Sequence, residues 1–171
     1  MEEGRGTMFL IWGYATVIVT MIVWGTVLYT QNFTWQFLWF LLPISGSIAT
    51  LIYKKQEDKK PRVTTYIDRI IGYVWTVSGI TGFLLSMVSI FVYTFPILFI
   101  IILIMGIGTT LTGLIINFRP LVISGAISLL CSVLLSFLNW KLQLPLFSLI
   151  FIFMMIIPGH YLNYKAGKAH V

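Results

Sequence analysis

The chain has 171 residues, of which 58% are hydrophobic and 9% charged. Soluble domains carry about 25% charged residues, so this composition excludes a water-soluble globular protein. The 11 Lys and Arg against 5 Asp and Glu give a formal charge of +6. Membrane topology accounts for that excess, and no nucleic-acid partner is expected.

Residues 1–7 hold Glu2, Glu3 and Arg5, a poor signal-peptide start, and no A-x-A cleavage pattern closes the apolar run that follows. That run, 8–29, is long enough to cross about 30 Å of hydrocarbon and is predicted as a retained first membrane helix. Five more apolar stretches follow at 33–53, 70–93, 96–117, 120–138 and 145–163. The expected fold is all-α: a polytopic membrane protein of six transmembrane helices arranged as three hairpins, one membrane domain over 1–171. Helices four and five are separated only by Phe118-Arg119-Pro120. Proline suits a helix start and not its interior, so a tight hairpin is expected there. In the sixth stretch Pro158-Gly159 is expected to kink or end the helix.

Lys and Arg in short loops mark the cytoplasmic side. With the N-terminus inside, Arg5, Lys54, Lys55, Lys59, Lys60, Arg62, Arg69, Arg119, Lys165 and Lys168 all fall inside, and Lys141 alone falls outside. Both termini are therefore expected to be cytoplasmic. The loop 54–69 is the one long connection. It reads as a solvated topology anchor, or more sharply as a contact for anionic lipid headgroups through Lys54, Lys55, Lys59, Lys60 and Arg62.

The outward-going helices share a pattern of small residues: Gly13, Thr16 and Thr20; Gly79, Gly82 and Ser86; Gly125, Ser128 and Ser132. The inward-going pair matches more loosely, Gly46 and Thr50 against Gly106 and Thr110, and Gly113 continues the face of helix four. Lipid tails are as apolar as leucine, so membrane helices associate by close approach over small residues. These positions are read as helix-packing faces in preference to the lining of a solute path. A packing role predicts that Ser128→Leu or Gly82→Leu lowers assembly. A lining role predicts altered flux in a well-assembled protein.

Buried chemistry is sparse. Away from their ends the six stretches contain no Asp, Glu, Lys, Arg or His, which removes the titratable group of a proton-coupled carrier and the arginine row of a voltage sensor. No H-E-x-x-H, G-x-x-x-x-G-K-[ST] or G-x-S-x-G pattern occurs. His160 and His170 have no Cys or carboxylate neighbours to complete a metal site, and Cys131 is alone in an apolar helix. No catalytic, cofactor or metal residue is expected. The function expected from this pattern is a non-enzymatic accessory, regulatory or structural membrane protein, associating with lipids, with copies of itself or with another membrane protein. The alternative is a passive channel or carrier for a small neutral or amphipathic solute.

Several segments carry a resemblance: Phe9-Leu-Ile-Trp-Gly13, Tyr73-Val-Trp-x-x-x-Gly79, Gly106-Ile-Gly-Thr-x-x-x-Gly113, Phe118-Arg-Pro-Leu-Val onward to Ser124-Gly125, and Ile157-Pro-Gly-His-x-Leu-Asn-Tyr-Lys165. From Phe9 to Lys165 the chain resembles a family of small polytopic inner-membrane proteins of Bacteroidota to which no activity is assigned. The resemblance implies the inner membrane of a Gram-negative bacterium and carries over no catalytic or binding residue. It also implies a longer charged segment before the Phe9 start, where this sequence has only residues 1–8.

Overall fold

The computed structural model describes residues 5–57, 65–93 and 95–168. Among them every regular element is helical: α1 (Arg5–Thr30), a 3-10 helix (Phe33–Phe40), α2 (Leu41–Glu57), α3 (Tyr66–Phe91), α4 (Ile97–Ile115), α5 (Arg119–Leu135), α6 (Trp140–Phe151), a π-helical turn (Ile152–Ile156) and α7 (Ile157–Lys168). Five helical stretches are long and apolar enough to cross a membrane: Gly6–Thr30, Phe37–Gln56, Tyr66–Phe91, Ile97–Ile115 and Lys141–Lys168. The apolar helix α5 is shorter, 17 residues, or about 26 Å at 1.5 Å per residue. The chain divides into two compact units, Met1–Arg62 with Asn139–Val171, and Val63–Leu138.

In the first unit α1 is the central element, packed against α2, the 3-10 helix, α6 and α7. Val19, Val23 and Val27 repeat every four residues, so they share one face of α1. They form a buried cluster under Leu38, Trp39, Leu42 and Leu144. Trp39 meets Phe147 edge-on at 5.7 Å between centroids, and Phe147 lies 4.7 Å from Phe151. The expected helix 33–53 begins instead as an eight-residue 3-10 helix, an unusual length for that form. Asn32 caps it, its side-chain oxygen accepting from the Thr34 amide at 2.9 Å and the Thr34 hydroxyl at 2.7 Å. Pro43 then falls in the first turn of α2, where a missing N–H costs little.

The C-terminal segment departs most from expectation. The helix neither ends nor breaks at Pro158-Gly159, and it runs from Trp140 to Lys168 through the π-helical turn. That turn immediately precedes the proline: the Ile157 N–H donates to the Ile152 carbonyl, five residues back. The wider turn places its irregularity where the Pro158 ring would strike the preceding coil. Pro145 poses the same problem inside α6. It cannot donate to the Lys141 carbonyl four residues earlier, and the Trp24 indole Nε1 of α1 donates to that oxygen at 3.0 Å. Trp24→Phe is therefore expected to cost about 1 kcal/mol of stability. Pro145→Ala, which restores the helical N–H, should reduce that cost in the double variant; thermal denaturation of the four proteins in detergent measures the cycle.

In the second unit α4 packs against α3 and α5. The expected loop 54–69 shrinks from both sides. α2 continues to Glu57, and a capping box starts α3, in which the Thr65 hydroxyl accepts from the Asp68 amide and the Asp68 carboxylate accepts from the Thr65 amide at 3.2 Å. The α4–α5 hairpin closes as expected, and Asn117 is its hinge. Asn117 takes a left-handed φ of 52°. The Phe118 amide donates to the Gly113 carbonyl at 2.8 Å and the Asn117 amide to Leu114 at 3.2 Å, which is the Schellman arrangement with asparagine in place of glycine. Phe118 is buried, and Pro120 occupies the first turn of α5, where it needs no partner.

Candidate functional site

The small residues separate into seams that are closed and positions that are open. The closest seam joins α4 and α5. A Cβ on Gly106 would come within 2.8 Å of Leu129 Cδ2 and 3.4 Å of the Gly125 carbonyl. One on Gly125 would meet the Thr110 amide at 2.8 Å and the Gly106 carbonyl at 3.1 Å, and one on Gly113 would meet the Val122 amide at 2.7 Å. Most of these opposing atoms are backbone, which cannot swing aside. At Gly113 and Gly125 only hydrogen fits between two main chains, whereas Gly106 is covered chiefly by the Leu129 side chain.

The α3–α4 seam is looser and partly polar. The Trp75 indole donates to the Thr112 hydroxyl at 3.1 Å, and that hydroxyl donates to the Gly108 carbonyl at 2.7 Å. Gly108 lies beneath the Trp75 ring, and Gly82 faces only the tip of Ile101, 3.3 Å from where a Cβ would sit. Ser86 is half-buried and donates to the Gly82 carbonyl at 2.8 Å. Gly79, expected to be a packing position, has nothing within 4 Å of a Cβ and is exposed. Its Ser-Gly dipeptide matches Ser124-Gly125 in sequence, but it sits about 60° round α3 from Gly82, just off the face that meets α4, and no helix of its unit approaches it closely.

In the first unit the seam joins α1 to the C-terminal helix. A Cβ on Gly13 would lie 2.8 Å from Ile156 Cγ1 and 3.2 Å from Met155 Cβ. Gly159 faces Leu10 at 3.0 Å and the Gly6 carbonyl at 3.2 Å, while Gly6 abuts the Gly159 carbonyl and the Asn163 side chain. Two side-chain hydrogen bonds flank this crossing: Asn163 Nδ2 to the Thr7 hydroxyl at 3.2 Å, and the Tyr14 hydroxyl with His160 Nε2 at 2.9 Å. The Trp12 ring lies on α2 over Gly46, 2.7 Å from where a Cβ would be.

The expected Ser and Thr positions are mostly buried, and apart from Thr50, whose buried hydroxyl has no hydrogen-bond partner among the described residues, their hydroxyl protons are used within their own helices. Thr16 donates to Trp12 at 2.8 Å, Thr20 to Thr16 at 2.6 Å, Ser128 to Ser124 at 2.7 Å and Ser132 to Leu129 at 2.7 Å. Thr109 in the second unit and Ser148 in the first are fully buried, with hydroxyls that have no hydrogen-bond partner among the described residues. Cys131 is half-buried. Among the described residues no three His, Cys, Asp or Glu side chains gather to hold a metal ion.

Of the headgroup candidates, Lys54 and Lys55 lie exposed in the last turn of α2, where a cation offsets the negative end of the helix dipole. Lys59, Lys60 and Arg62 lie outside the described residues. Sequence reasoning missed Gly6, which fell short of the predicted start of helix one. It also missed the Trp75–Thr112 and Tyr14–His160 bonds, which join residues far apart in the chain. The Trp24–Lys141 bond had a signal, since Pro145 predicts a carbonyl in need of a donor four residues earlier. Comparison with known proteins gives no match: no family model, no curated protein and no solved structure is similar to this chain.

Proposed function

We propose that this chain is a six-span protein of a bacterial inner membrane, with both termini cytoplasmic, that acts by association and not by catalysis. Its role is that of an accessory, regulatory or structural membrane protein. The ten-to-one distribution of Lys and Arg supports the threading, with α5 as the short sixth span. A helix of about 26 Å crosses at a modest cost by local thinning of the bilayer.

The observation that carries the functional reading is the closed α4–α5 seam at Gly106, Gly113 and Gly125. There the small-residue face is filled by the neighbouring helix, by backbone at Gly113 and Gly125 and by the Leu129 side chain at Gly106, and leaves no room for a solute. By contrast α2 and α3 remain largely uncovered: Gly46 is the one buried described residue of α2, and Gly82 and Ser89 those of α3. These helices offer long apolar surfaces to lipid or to neighbouring membrane helices.

The conduit reading has one observation in its favour, the unpartnered buried hydroxyls of Thr50, Thr109 and Ser148. Stopped-flow swelling of proteoliposomes decides between the two. Glycerol and urea should enter vesicles containing the protein no faster than empty vesicles. Protein-dependent swelling would replace association with conduction.

A further inference from the structure

The two faces of α7 differ sharply. Pro158, Gly159, Leu162 and Ala166 are buried. The opposite face is exposed and graded along its length. Phe153, in the π-helical turn that leads into α7, and Ile157 are apolar, His160, Tyr161 and Tyr164 are aromatic with polar tips, and Lys165 and Lys168 carry charge. His160, Tyr164 and Lys168 follow at intervals of four, so they form one row.

The row is already organised. The Lys168 ammonium lies 4.7 Å from the centre of the Tyr164 ring, a cation–π distance. His160 Nε2 is engaged by the Tyr14 hydroxyl. In the tautomer where Nε2 accepts that hydrogen, Nδ1 carries the proton and is the ring's remaining donor on an exposed side chain.

The gradient coincides with the layers of a bilayer. Lys141–Lys168 contains 28 residues, about 42 Å of helix against about 30 Å of hydrocarbon. With Lys141 at one boundary, the hydrocarbon ends about 20 residues later. His160 and Tyr161 then lie at the ester and phosphate level, and Lys165 and Lys168 lie among the headgroups.

We propose that this face of α7 binds one anionic phospholipid. The acyl chains lie along Phe153 and Ile157, the phosphate accepts from His160 Nδ1 and the Tyr164 hydroxyl, and the negative headgroup meets Lys165 and Lys168. Charge complementarity selects the lipid. The described side chains of this face include two lysines and no carboxylate, so a zwitterionic lipid gains less there than an anionic one. The inference rests on the reading that Lys141–Lys168 crosses the bilayer.

The test is native mass spectrometry of the full chain in detergent, titrated with phosphatidylglycerol or with phosphatidylcholine of the same acyl chains. The unchanged protein should retain one phosphatidylglycerol at concentrations where phosphatidylcholine is lost. Lys165→Gln and Lys168→Gln should each weaken phosphatidylglycerol retention about fivefold. His160→Phe should weaken it about threefold, and Lys141→Gln, at the far end, should leave it unchanged.

Equal retention of the two lipids by the unchanged protein would overturn the proposal. So would a preference that survives in the double lysine variant. The substituted lysines are exposed, and an unchanged melting temperature separates loss of the site from loss of the fold. Micelles impose no sidedness. A C-terminal reporter found outside the cell would therefore overturn the threading while a retained preference kept the lipid site, now in the other leaflet.

Discussion

Gly125→Leu is expected to unseat α5 from α4 and to lower stability by about 3 kcal/mol, at the upper end of ordinary overpacking costs. The magnitude follows from what the new side chain strikes. A Cβ at this position meets the Thr110 amide at 2.8 Å and the Gly106 carbonyl at 3.1 Å, and neither can rotate away. The two helices must move apart, which also opens Gly106 from Leu129 and Gly113 from Val122. Gly79→Leu is the matched control, because nothing lies within 4 Å of its Cβ. Its stability should stay within about 0.5 kcal/mol of the parent, as for an ordinary surface change. Denaturation in mixed detergent micelles, followed by tryptophan fluorescence, measures both. Equal effects at the two positions would mean that the small-residue pattern, and not the seam, governs packing.

Gly6→Val should have a comparable effect on the first unit, again about 3 kcal/mol. Gly6 is buried, and a Cβ there is blocked from two directions, by the Gly159 carbonyl and by the Asn163 side chain, whose Cγ would be 2.8 Å away. Asn163 could yield only by giving up its bond to Thr7. The Gly159 carbonyl is fixed in α7. Displacing α7 here also stretches the Tyr14–His160 bond, so the damage spreads along the crossing. Thermal denaturation of Gly6→Val beside the parent in detergent measures the loss; a melting temperature unchanged by the valine would contradict the seam.

Much of the fold was legible because the bilayer constrains sequence so strongly. The apolar stretches identified the helical segments, Phe118-Arg119-Pro120 marked the hairpin, and Thr65 with Asp68 spelled the cap of α3 that the loop assignment overlooked. Three features were not legible. Composition distinguishes apolar from polar and not α from 3-10 or π, so the 3-10 start at Phe33–Phe40 and the turn at Ile152–Ile156 were invisible. Pro158 signals a disturbance and does not say whether the helix stops or widens one turn to pass it. The repeated small residues showed which faces could pack, but Gly125 and Gly79 are alike locally. Only the path of the neighbouring helix separates a closed seam from an open surface. The α7 face was hidden for the same reason: reading His160 as an isolated imidazole missed Tyr14, 146 residues earlier.

The proposed threading is tested most directly at α5, the shortest of its six proposed spans. Six crossings bring both ends to one side of the membrane, and five place them on opposite sides. Paired reporters, one active only in the cytoplasm and one only outside it, fused in turn after Lys168 and before Arg5, decide between these outcomes. Cytoplasmic signal at both ends is the result expected here. A cytoplasmic N-terminus with an external C-terminus would show that α5 does not cross, and would contradict the six-span architecture.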